Sequence, residues 1–481
     1  MLRAGVARCS ITPPVGMTMP GYAAREHPAE DKDGELYATA LVVEEGQTRL
    51  AILSFDLVFI QDPLATVLRK AIGQRLNIPF YNVLLNASHT HCAPAIEQFQ
   101  YDDDQSQENL RQMYSARLRA EVPGLAAMAA NRLVPARLGT SVGEARIGIN
   151  RRELTPDGSI LLGENPSGPV DHEVRVIKID DFGGRPIAVL FAHGCHTVTM
   201  GPRFLAYSAD YVGPARELIE RSLGCLSLFL QANAGDINPI TGIGDKEDNS
   251  NERNRLGLML GGEVLKVQST IYTESIRGPR ILVGSISTYA SYPRVKLDRE
   301  PDSTIQIREE SVELPLQNLP DRNAAAEILR HRESNLKKLL TNGASTTELN
   351  IARCYRHWAI ELVDHVTNNR KPAIDISIQA MKIGPDLAII AVPGETFCRL
   401  GLEVKSRSPF KDTLMLGYSN GCVSYIPTRD AFPPHGWSMT EQYYVPDLIF
   451  QHYLLPTALT PDCGEIIVAK SLQLLNEFGS E

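Results

Sequence analysis

The sequence predicts an α/β protein with a mixed, largely parallel sheet core flanked by helices, and three observations carry that prediction. Apolar runs of strand length alternate with stretches of helical spacing. Five of these runs end in polar residues capable of chemistry, the pattern expected where ligands bind beyond the carboxyl ends of strands in open sheets. The 481 residues, 43% hydrophobic and 22% charged, have the composition of a soluble globular chain able to bury a large core.

Taken in order, residues 50–58 are an apolar strand, 63–76 have helical spacing (Leu64, Val67, Leu68, Ile72, Leu76), and 82–86 form the next strand. That is a βαβ unit, which normally joins parallel strands by a right-handed crossover. A polar, Gly- and Pro-rich stretch at 150–170 follows, with the turn signal Pro156-Asp157-Gly158. A second unit runs from a strand at 186–192 through a helix at 212–221 to a strand at 225–231. Residues 281–315 alternate with strand period. Residues 324–366, rich in Leu, Lys, Arg and Glu, read as a helical hairpin broken at Asn342-Gly343, an insertion over about 322–368 that serves as scaffold. A strand at 386–392 then leads through Pro393-Gly394-Glu395 into a helix at 396–405, and another strand lies at 413–416. No internal repeat or long linker interrupts the pattern, so a single catalytic domain over 1–481 is expected.

Charge and targeting signals exclude several classes. The net charge of −9, from 48 basic and 57 acidic residues, argues against a nucleic-acid binder, which normally carries a basic face. No run of 18 apolar residues exists, and the start Met1-Leu2-Arg3-Ala4-Gly5 lacks the form of a secretory signal, so stable membrane insertion is not expected and a cytoplasmic location is. The eight cysteines are scattered with no CxxC pair, which predicts reduced, buried thiols rather than a disulfide framework.

The chemistry concentrates at the strand ends. His89-Thr90-His91 follows the run Val83-Leu84-Leu85, and in an extended segment residues two apart face the same way, so both rings can reach one site. Two imidazoles on one face are a common beginning of a zinc site. His193 and His196 end the 186–192 run, and either can be a ligand. Glu395 and Tyr425 follow the last two runs, and Asn233-Ala234-Gly235-Asp236-Ile237-Asn238-Pro239 follows the strand at 225–231. Each residue also has a plainer reading. A histidine can be a hydrogen-bonded core residue, Glu395 can be a carboxylate at a helix N-terminus, and Asp236 can cap its own turn. Cys92, Cys195 and Cys422 read better as unreactive buried thiols than as ligands.

Assembled, these motifs make the chain resemble the neutral (non-lysosomal) ceramidase family over nearly its full length. The opening Ala4-Gly5-Val6-Ala7 through Ile11-Thr12-Pro13 to Met19-Pro20-Gly21-Tyr22 is similar to that family's, and Leu36-Tyr37-Ala38-Thr39-Ala40 is similar to its first strand. Ser88-His89-Thr90-His91-Cys92-Ala93-Pro94 resembles the His-Thr-His signature. Cys195-His196-Thr197-Val198-Thr199-Met200 with Ser208-Ala209-Asp210-Tyr211 resembles the second histidine motif, and Val392-Pro393-Gly394-Glu395 and Tyr425-Ile426-Pro427-Thr428 complete the set. The resemblance implies Zn2+ held by His89, His196, Glu395 and Tyr425, and so selects His196 over His193. It also implies that His91 assists proton transfer or stabilises an oxyanion, and that Arg151 contacts the substrate head.

Two departures shape the expected function. Asn238 stands where ceramidases carry a serine in the Gly-Asp-x-Ser-Pro turn, which excludes a serine nucleophile there and leaves Asn238 to donate a hydrogen bond. The chain also reads as leaderless and without the C-terminal immunoglobulin-like domain of secreted family members. The expected activity is zinc-dependent hydrolysis of an amide in a small-molecule N-acyl substrate by attack of a metal-bound water. Alternatives are an esterase, a lyase or carbohydrate-active enzyme on the same scaffold, or a metal-stabilised binding module. Substrate choice is expected in the loops at 95–110, 150–170 and 429–445, and formation of a homo-oligomer stays open.

Overall fold

Two sheets stack face to face with helices on both outer sides, giving four layers in the order helix, sheet, sheet, helix. This computed structural model describes residues 1–96, 105–284, 287–298, 300–432 and 450–479. The larger sheet has eight strands in the spatial order Leu226–Gln231, Pro186–His193, Glu173–Asp181, Val134–Glu144, Arg3–Ser10, Tyr37–Glu45, Thr48–Phe55 and Val83–Ala87. The smaller has Ile305–Pro315, Ala373–Ile383, Leu387–Ala391 and Asp412–Leu416.

The expected largely parallel core is corrected here. In the larger sheet only the two outermost pairings are parallel, and all those between are antiparallel. In the smaller sheet only Leu387–Ala391 with Asp412–Leu416 is parallel. The physical reason lies in the layering. Strands apolar on both faces are the signature of a parallel sheet covered by helices on each side. Here the second sheet takes the place of one helical layer. Leu50 and Ile52 face the sheet-to-sheet core while Ala51, Leu53 and Phe55 face helices, and Leu190 and Phe191 divide the same way. Antiparallel strands in such a stack read as continuously apolar too.

Both predicted crossovers are present, with helices Leu64–Leu76 and Val212–Leu223 each joining a parallel pair. A third, Cys398–Arg407, joins the parallel pair of the smaller sheet. The helical hairpin is Arg322–Asn342 and Thr346–Thr367, broken by Gly343 at φ 65° and restarted by a capping box between Ser345 and Glu348. It covers the outer face of the smaller sheet, where Trp358, Ala359 and Leu362 pack with Leu314, Ile376 and Ile378. The stretch at 150–170 is a β-hairpin, Gly148–Leu154 with Ile160–Asn165, turning at Pro156-Asp157-Gly158. The first strand is Arg3–Ser10, ahead of the segment taken as first by resemblance. The helix Gln105–Asn131, with Pro123 inside it, was not foreseen from its weak apolar pattern. Among the described residues no helix is long and apolar enough to cross a membrane.

What positions the site is the convergence, at their carboxyl ends, of three strands that each belong to a different parallel pair. The buried Asn86 side chain donates to the carbonyls of Gln231 (3.2 Å) and Gly417 (3.0 Å) and accepts from Gln231 N at 2.7 Å. Leu85 N donates to Asn420 Oδ1 at 2.9 Å and Ala87 N to Tyr418 O at 3.1 Å. One polar knot thus ties both sheets together directly beneath His89, His196 and Glu395.

Candidate metal centre

The chain leaves the strand Val83–Ala87 and pairs with its neighbour for two more residues, Ser88 N donating to Phe55 O and His89 N to Leu57 O, both at 2.8 Å. His89 then takes φ 65°, a left-handed conformation that a side-chain-bearing residue rarely adopts and that clusters at functional sites. The two rings therefore do not meet by the extended i, i+2 geometry expected from the sequence. The turn at His89 brings them edge to face, ring centres 4.7 Å apart and Nε2 atoms 3.1 Å apart. The second histidine motif lies alongside the first. Thr90 bridges Thr197, and Thr197 Oγ1 donates to Ser88 O at 3.0 Å.

His89, His91 and His196 are buried, and their ligand-capable nitrogens lie within 4.8 Å of one another, a group that can hold a metal ion. His193 is elsewhere, its Nδ1 on the Glu173 carbonyl at 2.9 Å. Nδ1 of His89 sits 2.8 Å from Val58 O, and Nδ1 of His196 sits 2.7 Å from Ala234 O. These carbonyls place the proton on Nδ1 and leave each Nε2 lone pair facing inward, the second-layer arrangement typical of metal-bound histidines. Both lone pairs point at one carboxylate oxygen, Glu395 Oε2, at 3.4 Å from His89 and 3.3 Å from His196.

Burial opposes charge on the imidazoles and lowers the pKa of all three, that of His196 to about 3. Burial alone would raise the Glu395 carboxyl, but attraction to His89 and His196 in their protonated forms and the hydrogen bond from the Tyr453 hydroxyl outweigh it and bring it down to about 2. Two tyrosines clamp that carboxylate. Tyr418 donates to Oε2 at 3.2 Å, and Tyr453 donates to Oε1. Neutral nitrogens and an ionised oxygen turned toward one another repel unless a cation lies among them, and His196 Nε2 has no hydrogen-bond partner. The donor set fits a metal ion.

Beside this group, Arg151 donates from Nη1 to Asn238 Oδ1 at 3.1 Å and from Nη2 to the Tyr425 hydroxyl at 3.0 Å. The structure thus joins Arg151, Asn238 and Tyr425 into one unit, and Tyr425 stacks edge to face on Tyr453 at 5.6 Å. Tyr425 and Glu395 are held as register partners in a short parallel ladder. Glu395 is not the helix-end carboxylate. That task falls to Asp236, whose Oδ1 accepts from Cys398 N at 2.7 Å at the start of Cys398–Arg407 while Oδ2 accepts from Asn150. Burial drives the Cys92 thiol up to about 12 and raises Cys195 and Cys422 as well, so these thiols stay protonated as expected.

Sequence reasoning missed Tyr418, Tyr453 and Gly21. Tyr418 sits in the Gly-rich turn after the strand at 413–416, a signal that was present but read only as a path to Tyr425. Gly21, at φ 103°, lies so close to His91 that a Cβ would stand 2.1 Å from Nδ1. Parts of two expected specificity loops, 97–104 and 433–445, lie outside the described residues.

Comparison with known proteins agrees with this geometry. The architecture matches the crystal structure of neutral ceramidase from Pseudomonas aeruginosa with a TM-score of 0.65 at 19% identity, over 99% of this chain and 75% of that one. A ceramidase complexed with C2 matches with a TM-score of 0.66 at 18% identity, over 100% and 75% of the two chains. At those identities the likeness establishes the fold. The family model for the N-terminal part of neutral/alkaline non-lysosomal ceramidases matches residues 2–255, more than half of the 481 and including all three clustered histidines. The chain belongs to the neutral/alkaline non-lysosomal ceramidase family.

Proposed function

We propose that this protein is a zinc-dependent amidase that hydrolyses an N-acyl substrate, with the metal held by His89, His196, Glu395 and Tyr425. The observation that carries this reading is the convergence of His89 Nε2 and His196 Nε2 on one Glu395 oxygen. Zinc is favoured by a compact nitrogen and oxygen donor set, and amide cleavage by the family. A bound zinc ion supplies Lewis acidity toward the amide carbonyl and makes a nearby water more acidic.

The remaining work belongs to the chain. His91 is 9% exposed where His89 and His196 are each 1%, so it is the imidazole with access to substrate. Burial keeps it neutral at rest and makes its protonated form acidic, so a proton carried at Nε2 is readily returned to the leaving amine. Arg151 holds the Tyr425 hydroxyl and Asn238 in place and turns positive charge toward the site, where it orients the substrate head and stabilises charge growing on the carbonyl oxygen. Tyr418 and Tyr453 hold the Glu395 carboxylate in one orientation.

The deciding experiment is metal content by mass spectrometry of the wild type, His89→Ala and Glu395→Ala, with hydrolysis of ceramide and shorter soluble N-acyl amides on the same samples. About one zinc per chain, lost with activity in both variants, is the expected result. A wild type that takes up no metal, or full activity in His89→Ala, overturns the proposal.

A further inference from the structure

The described residues between Tyr272 and Asp298 form an arm that neither large sheet takes up. Two short ladders build it, Ser275–Arg277 with Arg294–Lys296 and Ile281–Val283 with Tyr289–Ser291. Isolated two-stranded ladders of this length are marginal in water unless something covers them. Yet Tyr272, Ile276, Ile281, Leu282, Tyr289 and Tyr292 are all exposed, Leu282 by 62%. So many large apolar side chains on one small projection mark an interaction surface.

The arm is basic as well as apolar, with Arg277 and Arg294 stacked on Tyr292 and Tyr272 at 3.9 and 3.4 Å and Arg280 and Lys296 beside them. Its base is fixed to the body where Thr273 Oγ1 donates to Asp180 Oδ2 at 2.7 Å. Asp180 and Glu173 lie at opposite ends of one strand, and Glu173 is the end near His193. The arm therefore leaves the body at the end of that strand opposite His193.

Next to the arm's base, at that same end, a cavity of about 780 Å³ opens between the sheets. Leu138, Phe182 and Ile383 line it, and so do Asp302 and Asp386, while Glu300 in the same lining is paired with Arg137. Glu45, Glu300 and Asp412 in its lining are already paired with the N-terminus, Arg137 and Arg175, and the acids left, Asp302 and Asp386, outnumber the one remaining cation, Lys411, the reverse of the arm. We propose that the arm of one copy docks in this cavity of a second copy and the second copy returns the contact, giving a closed two-fold dimer. The apolar side chains of Ile281 and Leu282 meet the apolar lining, and the arginines meet Asp302 and Asp386. Arm and cavity are neighbours on one end of the molecule, so a single two-fold rotation satisfies both contacts. Reciprocity also doubles the buried area toward the roughly 1,200 Å² of a stable interface.

The test is the mass of the full chain in solution by light scattering and sedimentation at micromolar concentrations. Wild type is expected to be a dimer, Leu282→Asp a monomer, and Asp386→Lys a dimer weakened at least tenfold, all with unchanged metal content and hydrolysis. Mixing Leu282→Cys protein with Ser303→Cys protein is expected to give a disulfide-linked pair of chains, since Ser303 lines the cavity. A monomeric wild type, a dimer indifferent to Leu282→Asp, or a Leu282→Cys/Ser303→Cys double variant that closes its disulfide within one chain overturns the proposal.

Discussion

Asn86 and Gln231 bond each other reciprocally: Asn86 Nδ2 donates to the Gln231 carbonyl at 3.2 Å and Asn86 Oδ1 accepts from the Gln231 amide at 2.7 Å. Asn86 also reaches Gly417 O and Ser419 Oγ, so one side chain satisfies the ends of three strands in two sheets. All of this is buried, where an unsatisfied polar group costs about 1–3 kcal/mol. Asn86→Ala is expected to lower stability by about 3 kcal/mol in urea unfolding, and to weaken metal retention because His89 and Glu395 stand on the knot it holds.

His193 and His196, which follow the same apolar run, are distinguished by metal content. His196→Ala is expected to lose the metal and at least about 100-fold in kcat/KM, on the scale of removing a principal electrostatic group from a site. His193→Ala is expected to keep the metal, because its ring bonds Glu173 O away from the cluster. Metal analysis of the two purified variants checks both.

Gly21→Ala tests the approach of the N-terminal segment to His91. A methyl group there would stand 2.1 Å from His91 Nδ1 in a backbone conformation that disfavours any Cβ. The ring must move while His89, His196 and Glu395 stay in place. The expected outcome is normal metal content with kcat reduced about 10- to 100-fold, read from steady-state kinetics.

Acid sensitivity of the metal-free protein follows from the same burial. His196 titrates near 3 folded against an ordinary 6.5, so between those values the unfolded chain binds more protons and stability falls as pH drops. The urea midpoint of metal-free protein is expected to fall between pH 7.5 and pH 4.5, and His196→Phe, which cannot titrate, is expected to show a smaller fall.

The strand-end motifs were legible because chemistry must sit where buried strands surface. His89, His91, His196 and Glu395 surfaced as candidates that way, the family resemblance chose His196 over His193 and made Glu395 a ligand, and the structure brings the four together. Tyr418 and Tyr453 were not, since a tyrosine in a turn carries no periodic signal and only its contact with Glu395 gives it meaning. Asp236 was legible as a turn residue, but the helix it caps begins 162 positions later in the chain.

By itself the sequence determined the local elements: two crossovers, the helical hairpin with its break at Gly343, and a polar cluster after each apolar run. Local spacing and turn chemistry are written in neighbouring residues and need no distant partner. The tertiary structure alone decided strand direction, the stacking of two sheets and the assembly of the metal centre. Apolar faces look the same whether a helix or another sheet covers them, and the donor atoms come from chain segments more than a hundred residues apart.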